Sequence, residues 1–573
     1  MECSSEAVAL RRLRPPVPIS ILAGLVLLPH ALWAQARADN RAARTDSIFA
    51  EWDAVPSPGC VVGVREQGAL VYARGHGMAS LEHRVPLDTG TVLDIGSVSK
   101  QFTATAVVLL SYEGKLSLDD TVRRWIPELP ATLPRITVRQ LLHHTSGLRD
   151  YVDLLIFSGH AEEDWTTPQQ ALDLLAKQKT LNFAPGTEWR YSNSGYFLLG
   201  LIVERASGKS LRALMAERIF GPLGMTHTFV LDKHNELVPR KASSYAPRSG
   251  GAFSVAMSNW EQVGDGAVQS TLTDLARWDE ALERGTLGGP GLSALLATAG
   301  TLTSGESHGY GFGVGVDVWR GVARQEHSGA WAGFRAQLMR FPAQRTSVLL
   351  LCNRADAGTA RLAERMAEVW LGSALQPVPQ VVAGTSSARA ADIARDTGLY
   401  VNEHVGSLRY IGRARDGITL ATMPGSPNAQ PVFYLGDGRY VVSSGLTFSL
   451  DRTRQTMSFL PSPRTTMPIV LARATAPPLS GVAVDPFAGT YRSDDVDASV
   501  IIEVQNGSLI IKRDGWPGES LVPLSGDLFT FGGALVRFGR DGRGTLTDLQ
   551  ITTRGVVALR FRLLPISAQS SPS

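Results

Sequence analysis

The chain has 573 residues, 44% hydrophobic and 19% charged, with a formal net charge of +3. That length predicts roughly three to four domains of about 150 residues each, and the composition is that of a globular protein. Near-neutrality over so long a chain excludes an electrostatic case for nucleic acid or an anionic membrane surface as partner.

Residues 1–36 read as a secretory signal peptide. Arg11, Arg12 and Arg14 form a basic start, Ile19 to Ala34 is an apolar run broken by Pro29 and His30, and Ala34-Gln35-Ala36 offers a small-x-small cleavage site. The run is short for the ~20 residues a membrane span needs, so no integral membrane segment is expected after cleavage, and the location is periplasmic or secreted. Cys3 precedes the apolar run and does not read as a lipoprotein cysteine. Residues 37–55 form a short amphipathic segment. Cys60–Glu66 and Leu70–Arg74, on either side of Gln67-Gly68, predict a hairpin. Ser97 to Tyr112 predicts a helix stopped at Gly114. Helix and loop signals dominate from Leu116 to about Thr303, among them Pro168–Lys177, Gly195–Ala206 and Ser270–Glu283. Strand signals return from Tyr310 to Cys352, and a last helix spans Ala357–Leu371. Strands at both ends with helices between them predict an α+β domain over 37–373, an antiparallel sheet flanked by helices with a helical insert.

Residues 374–393, with Pro377, Pro379, Gly384 and Ser386-Ser387, read as a linker. Beyond 394 the chain is strand-like, with turns every 8–12 residues or about that spacing. It also repeats: Gly398-Leu399-Tyr400 matches Gly489-Thr490-Tyr491, and each unit ends in an apolar run, Pro468–Leu471 and Val556–Leu563. The expectation is an all-β C-terminal region of two small antiparallel barrels, at 394–475 and 484–566, each with about eight strands. After signal cleavage Cys60 and Cys352 remain, both in apolar strand-like runs. They are either two buried thiols or one disulfide in an oxidising compartment. The 11 histidines show no H-E-x-x-H and no paired-cysteine spacing, so no metal is expected.

The chemistry begins at Ser97-Val98-Ser99-Lys100. Residues at i and i+3 share a helix face, so Lys100 can touch the Ser97 oxygen and help take its proton. A neighbouring base is the usual remedy for a poor serine nucleophile, and a helix N-terminus favours a developing anion. Two more motifs follow, Tyr191-Ser192-Asn193 and His327-Ser328-Gly329. In this order they resemble the penicillin-recognising serine hydrolases: class C β-lactamases, D,D-peptidases, D-aminopeptidases and related esterases. That family carries S-x-x-K, Y-x-N, and K-T-G or H-x-G. Leu141-Leu142-His143-His144-Thr145-Ser146-Gly147-Leu148, Gly221-Pro222-Leu223-Gly224-Met225 and Gly309-Tyr310-Gly311-Phe312-Gly313 look like further landmarks of it, and the resemblance spans roughly residues 45–372.

The resemblance implies roles. Ser97 is the nucleophile, and Lys100 and Tyr191 share its proton network, with Tyr191 protonating the leaving group. Asn193 binds the substrate amide, and the backbone N–H groups of Ser97 and Ala330 form the oxyanion hole. His327, Gly329 and Ala330 belong to the substrate-binding strand. First and last strands share one sheet in this family, which sets Cys60 beside Cys352 and permits a disulfide. The D-aminopeptidases resemble this chain in carrying two small barrels behind the catalytic domain.

His327 stands where a lysine occurs in K-T-G, replacing a permanent cation with an imidazole. That weakens a dedicated β-lactamase or carboxypeptidase, which must read a carboxylate, and suits an aminopeptidase, amidase or esterase. His143 and His144 read as structural residues of a loop. Gly305-Glu306-Ser307-His308-Gly309 fits the G-x-S-x-G elbow, but lacks the buried strand before it and the helix after it. The expected function is an exported serine hydrolase forming an acyl-enzyme at Ser97 on a small amide, D-amino-acid peptide or ester, with no cofactor. A β-lactamase or D,D-carboxypeptidase is the alternative. A peptidoglycan- or β-lactam-binding sensor without turnover is the alternative of another class. The expected partners are a small-molecule or peptide substrate, peptidoglycan fragments included; oligomeric state is left open.

Overall fold

The computed structural model describes residues 27–377 and 395–565, apart from short stretches at 415–416, 424–425, 427–428, 437, 443–445, 461–467, 475–483 and 514–516. Most of the expected signal peptide and linker lies outside the described residues. The chain divides into two compact units, Met1–Ala50 and Glu51–Ser573. The described part of the first belongs to one helix, Leu27–Ala54. Among the described residues no helix is long and apolar enough to cross a membrane.

The second unit opens on a six-stranded antiparallel sheet in the order Gly315–Trp319, Val322–Trp331, Phe334–Phe341, Thr346–Cys352, Cys60–Glu66, Ala69–His76. The first strand therefore pairs with the last, as the resemblance implied. Both read as continuous apolar runs because both faces are covered. All seven residues of Thr346–Cys352 are buried, and so are Cys60 to Arg65. Helices Leu272–Arg284 and Thr359–Leu371 pack on these strands. Cys60 lies opposite Cys352 in the register, and the two are joined by a disulfide with Cα atoms 3.9 Å apart.

Between the outer parts of the sheet lies the helical insert. Helix Lys100–Tyr112 is buried along most of its length, apolar in its later turns and polar in its first, where Lys100, Gln101 and Thr103 are buried. Its Phe102 ring packs 4.6 Å from Trp278 and 5.4 Å from Phe220. Helix Asn193–Ser207 runs beside it and stops at Gly208, whose φ of 71° only glycine adopts freely.

Two elements depart from expectation. The helix predicted from Ser97 begins as a single 3-10 turn, Gly96–Ser99, and turns α-helical only at Lys100. The chain leaves strand Leu93–Asp94 through Gly96 at φ 50°, and the Asp94 carboxylate accepts the Gly96 N–H at 2.7 Å. The strand predicted from Tyr310 starts regularly only at Gly315, because Gly309 and Gly313 take positive φ in a close turn.

After the catalytic unit come two closed eight-stranded antiparallel barrels, built from strands within Gly398–Arg473 and Gly489–Leu563. The repeat legible in the sequence has a structural cause. Tyr400 donates to the Asp396 carbonyl at 3.0 Å, and Tyr491 donates to the Phe487 carbonyl at 2.9 Å. Each buried tyrosine ties its first strand to the residue four positions earlier, where the barrel is entered. Each first strand then closes its barrel against the last, through Tyr400 opposite Arg473 and Tyr491 opposite Leu563.

Candidate active site

Ser97 is the second residue of the 3-10 turn and is only partly covered, while Lys100 is fully buried. The i, i+3 spacing does what the sequence suggested: Lys100 Nζ lies 3.0 Å from Ser97 Oγ. The same amine reaches Asn193 Oδ1 at 2.9 Å and the Asp265 carbonyl at 2.6 Å. As an ammonium it can donate to all three oxygens. As a neutral amine it can donate to Asn193 and Asp265 and turn its lone pair to the Ser97 hydroxyl. Burial pulls the Lys100 pKa down to about 8, against the opposing charges of Asp265 and Asp150.

Tyr191 stands over the amine, with Nζ 4.9 Å from its ring centre. Its buried hydroxyl has no hydrogen-bond partner among the described residues. Burial, then Tyr310, drive its pKa well above the ordinary phenol value, and the Ser97 side chain is the one neighbour drawing it back. Tyr191 is therefore a neutral phenol beside the Ser97 hydroxyl, able to give a proton and receive one.

The Leu141–Leu148 loop holds this tyrosine. His144, at φ 58°, accepts the Ser192 N–H on Nδ1 at 3.2 Å and the Arg190 N–H on its carbonyl at 3.0 Å. Its ring lies 4.3 Å from that of Tyr191 and 4.7 Å from that of Tyr310. Burial, then Lys100, hold its pKa well below the ordinary imidazole value. The structural reading of His144 thus gains a definite content: it is a neutral wedge behind Tyr191.

His327 donates from Nδ1 to the Ser328 carbonyl at 2.6 Å, which leaves Nε2 to accept from the Tyr310 hydroxyl at 2.8 Å. Burial, then Lys100, lower its pKa to about 3. Both ring nitrogens are occupied and the ring is uncharged at neutral pH. Gly329 and Ala330 follow on the same strand. A Cβ on Gly329 would lie 2.0 Å from the Ile95 carbonyl oxygen, and one on Gly96 would lie 2.6 Å from the Ala330 nitrogen. Two glycines therefore let the strand close on the turn that carries Ser97, with the Ala330 nitrogen against Gly96.

Ser97, Tyr191, Asn193, Tyr310, His327 and Ala330 line one cleft of about 750 Å³, along with Asp150, Asp265, Trp260 and Trp331. Ser307 lies outside it, exposed in a short bridge to Thr301 with no helix after it, so the elbow motif is a chance match. Sequence reasoning missed Asp150, Asp265, Tyr310 as the partner of His327, and a contribution from the second barrel. The turn Thr553–Gly555 also lines the cleft through Arg554 and Gly555. Its Gly555 carbonyl accepts the Asp150 N–H at 2.9 Å and the Asn182 side-chain amide at 2.8 Å. Arg149 fastens the same barrel, donating to Asp495 at 3.0 Å and to the Val557 carbonyl at 3.1 Å. The first barrel is tied on beside Tyr191, where Arg190 donates to the His404 carbonyl at 3.0 Å.

A serine, a lysine, a tyrosine and an asparagine converge with two backbone donors, and the family model described as Beta-lactamase matches residues 46–369. The chain belongs to the beta-lactamase family. It is a serine hydrolase of that family. The chain is also similar to curated D-aminopeptidases. One from Cereibacter sphaeroides is 29% identical over 503 residues, covering 84% of this chain and 90% of that protein. One from Brucella anthropi is 27% identical over 518 residues, covering 86% and 93%. Among solved structures, an octameric penicillin-binding protein homologue from Pyrococcus abyssi is 22% identical with a TM-score of 0.54. It matches 75% of this chain and 99% of that chain, a likeness of fold.

Proposed function

We propose that this beta-lactamase-family enzyme hydrolyses small D-amino-acid amides and D-amino-acid peptides through an acyl-enzyme at Ser97. The observation that carries this reading is the pairing of a nucleophile bonded to a buried base with an uncharged His327. A β-lactamase or D,D-carboxypeptidase has to hold a substrate carboxylate beside the third motif, and His327 offers it neither a charge nor a free N–H. Similarity to D-aminopeptidases over more than four-fifths of the chain, barrels included, supports the same substrate class.

In this mechanism Ser97 Oγ attacks the amide carbonyl carbon as its proton passes to Lys100 Nζ. The oxyanion settles between the N–H groups of Ser97 and Ala330, the kind of preorganised donors worth about 3–4 kcal/mol each in such sites. Asn193 is the side chain that binds the substrate's amide. The C–N bond breaks as the Tyr191 hydroxyl gives its proton to the leaving nitrogen and regains one from Lys100. Water then attacks the ester, its proton enters the same network, and Ser97 Oγ leaves with a proton restored. The disulfide between Cys60 and Cys352 supports an exported enzyme, since such bonds persist in oxidising compartments. Peptidoglycan-derived D-peptides are substrates of fitting chemistry there.

The test is turnover by the purified protein of D-alaninamide, L-alaninamide and a chromogenic cephalosporin. Steady release of ammonia from the D-amide, absent in Ser97→Ala, is the expected result. Steady cephalosporin hydrolysis with no amide turnover would replace the reading with a β-lactamase. A stoichiometric burst without further product would replace it with a sensor.

A further inference from the structure

Asn193 opens helix Asn193–Ser207, and the first N–H groups of a helix have no partner inside it. The residue before it, Ser192, makes no side-chain cap. The cap comes instead from 43 residues upstream, where Asp150 Oδ2 accepts the Asn193 N–H at 2.6 Å. The other oxygen, Oδ1, accepts the Val152 N–H at 2.9 Å, capping the short helix Tyr151–Phe157, and lies 3.5 Å from Asn193 Nδ2. One carboxylate thus holds both the backbone and the side-chain amide of Asn193, and that amide's oxygen holds the Lys100 amine at 2.9 Å.

We propose that Asp150 is a positioning residue of the active site: its carboxylate caps the helix that carries Asn193 and, through Asn193 Oδ1, orients the Lys100 amine. The inference rests on the acyl-enzyme reading at Ser97. Asp153 lies one turn along the same helix, half-buried and held by the Thr553 hydroxyl and the Gly555 backbone of the second barrel. The Gly555 carbonyl in turn holds the Asp150 N–H. A Cβ on Gly555 would lie 2.5 Å from Asp150 Cβ and 2.6 Å from an Asp153 oxygen, so the barrel turn seats against the acid pair with no room to spare.

The charges around this pair decide how it acts. Lys100 faces Asp150 and Asp265, the rings of Tyr191 and Tyr196, and the uncharged imidazoles of His144 and His327. Asp150 faces Asp153 on its own helix, Asp265 and Lys100 across the cleft floor, and the phenols of Tyr151 and Tyr191. Arg554, between the two barrel contacts, is exposed. Burial and then Asp153 raise the Asp150 pKa. An ionised Asp150 steadies the protonated amine of Lys100.

The experiment is the rate of Ser97 labelling by a fluorophosphonate as a function of pH, read by peptide mapping, in the full-length protein. In Asp150→Asn the lysine loses a stabilising charge. The rising limb should move to lower pH by about one unit, while the plateau falls by about tenfold as Asn193 loosens. In Asp150→Glu, which keeps the charge but displaces the carboxylate, the limb should stay at the wild-type position while the plateau falls. A limb that moves down in Asp150→Asn and holds in Asp150→Glu supports the proposal. A limb that stays at the wild-type position in Asp150→Asn overturns it and leaves Asp150 a helix cap. If Asp150→Asn does not fold, Asp150→Glu decides alone: a lowered plateau supports the proposal and a wild-type plateau overturns it. Wild-type protein labelled at no residue, or at one other than Ser97, would instead overturn the acyl-enzyme reading and this inference with it.

Discussion

Lys100 can act as a base only in its neutral form, so the pH dependence of turnover measures how far the fold has lowered its pKa. With that pKa near 8, about one-tenth of the lysine is neutral at pH 7, about half at pH 8 and about nine-tenths at pH 9. Turnover should rise about tenfold between pH 7 and pH 9 and then level. A lysine at its ordinary value of 10.5 would instead give a rise of about a hundredfold over the same interval, still climbing at pH 10. The quantity to follow is kcat on D-alaninamide at fixed ionic strength, because kcat reports the enzyme–substrate complex and is blind to the free amide's own ionisation. Lys100→Arg keeps a guanidinium that does not deprotonate in this range, and should fall by on the order of 10²–10⁴ at every pH. A limb that climbs without a plateau to pH 10 would refute the link between burial and basicity. A limb near pH 8 that survives in Lys100→Met would assign it to another group.

Ser97→Ala should abolish hydrolysis with an unchanged melting temperature, since alanine fits the 3-10 turn, whereas Ser307→Ala should keep most activity; the reverse pattern in a side-by-side assay would sink the site. Tyr191→Phe and Lys100→Ala should each lower kcat by on the order of 10²–10⁴, and the double variant should lose little more than either, because both serve one proton path; additive losses in that cycle would mean one of them only supports the fold. His308 is buried, with neither ring nitrogen hydrogen-bonded among the described residues, and burial, then His143, lower its pKa from 6.5 to about 3. A depressed imidazole contributes stability that is present above pH 6.5 and is lost as pH falls toward 3, since the unfolded chain takes the proton first. His308→Phe should therefore relieve about 2 kcal/mol of acid destabilisation at pH 5 and none at pH 8; denaturant unfolding at the two pH values checks it, and equal changes at both would refute it.

Much of this architecture was legible because it is written in short periods. The i, i+3 spacing of Ser97 and Lys100 survives the change from an expected α-helical start to a 3-10 turn, because both geometries keep the two side chains on one face. The apolar runs at Cys60–Val64 and Val348–Cys352 read as strands, and the family topology set them side by side; that both faces are covered came from the structure. The barrels were legible from a tyrosine that each uses for the same task, tying its entry strand to the residue four positions before. His327 was legible as a departure, yet its charge was not: a histidine in a sequence can be cation or wedge, and only burial and the bond from Tyr310 decide between them.

What stayed hidden is contact made by closure rather than by pattern. Locally, Asp150 is the cap of a seven-residue helix. Nothing within its neighbourhood announces that its second oxygen caps another helix 43 residues on. Gly555 is hidden more deeply still, because its carbonyl bonds the Asp150 N–H across the whole catalytic unit and the first barrel. In isolation its sequence reads as an ordinary hairpin turn of an ordinary barrel. Its missing side chain makes sense only against Asp150 and Asp153, where any Cβ would fall within 3 Å of both. Substituting Gly555 by alanine must therefore move either the barrel turn or the acid pair. If the turn moves, binding of the barrel suffers and the chemistry at Ser97 does not. If the acid pair moves, Asn193 and Lys100 move with it. The second barrel is thus bonded to the residues that hold the base, and its place in the enzyme is set by that contact rather than by the eight strands that make it a barrel.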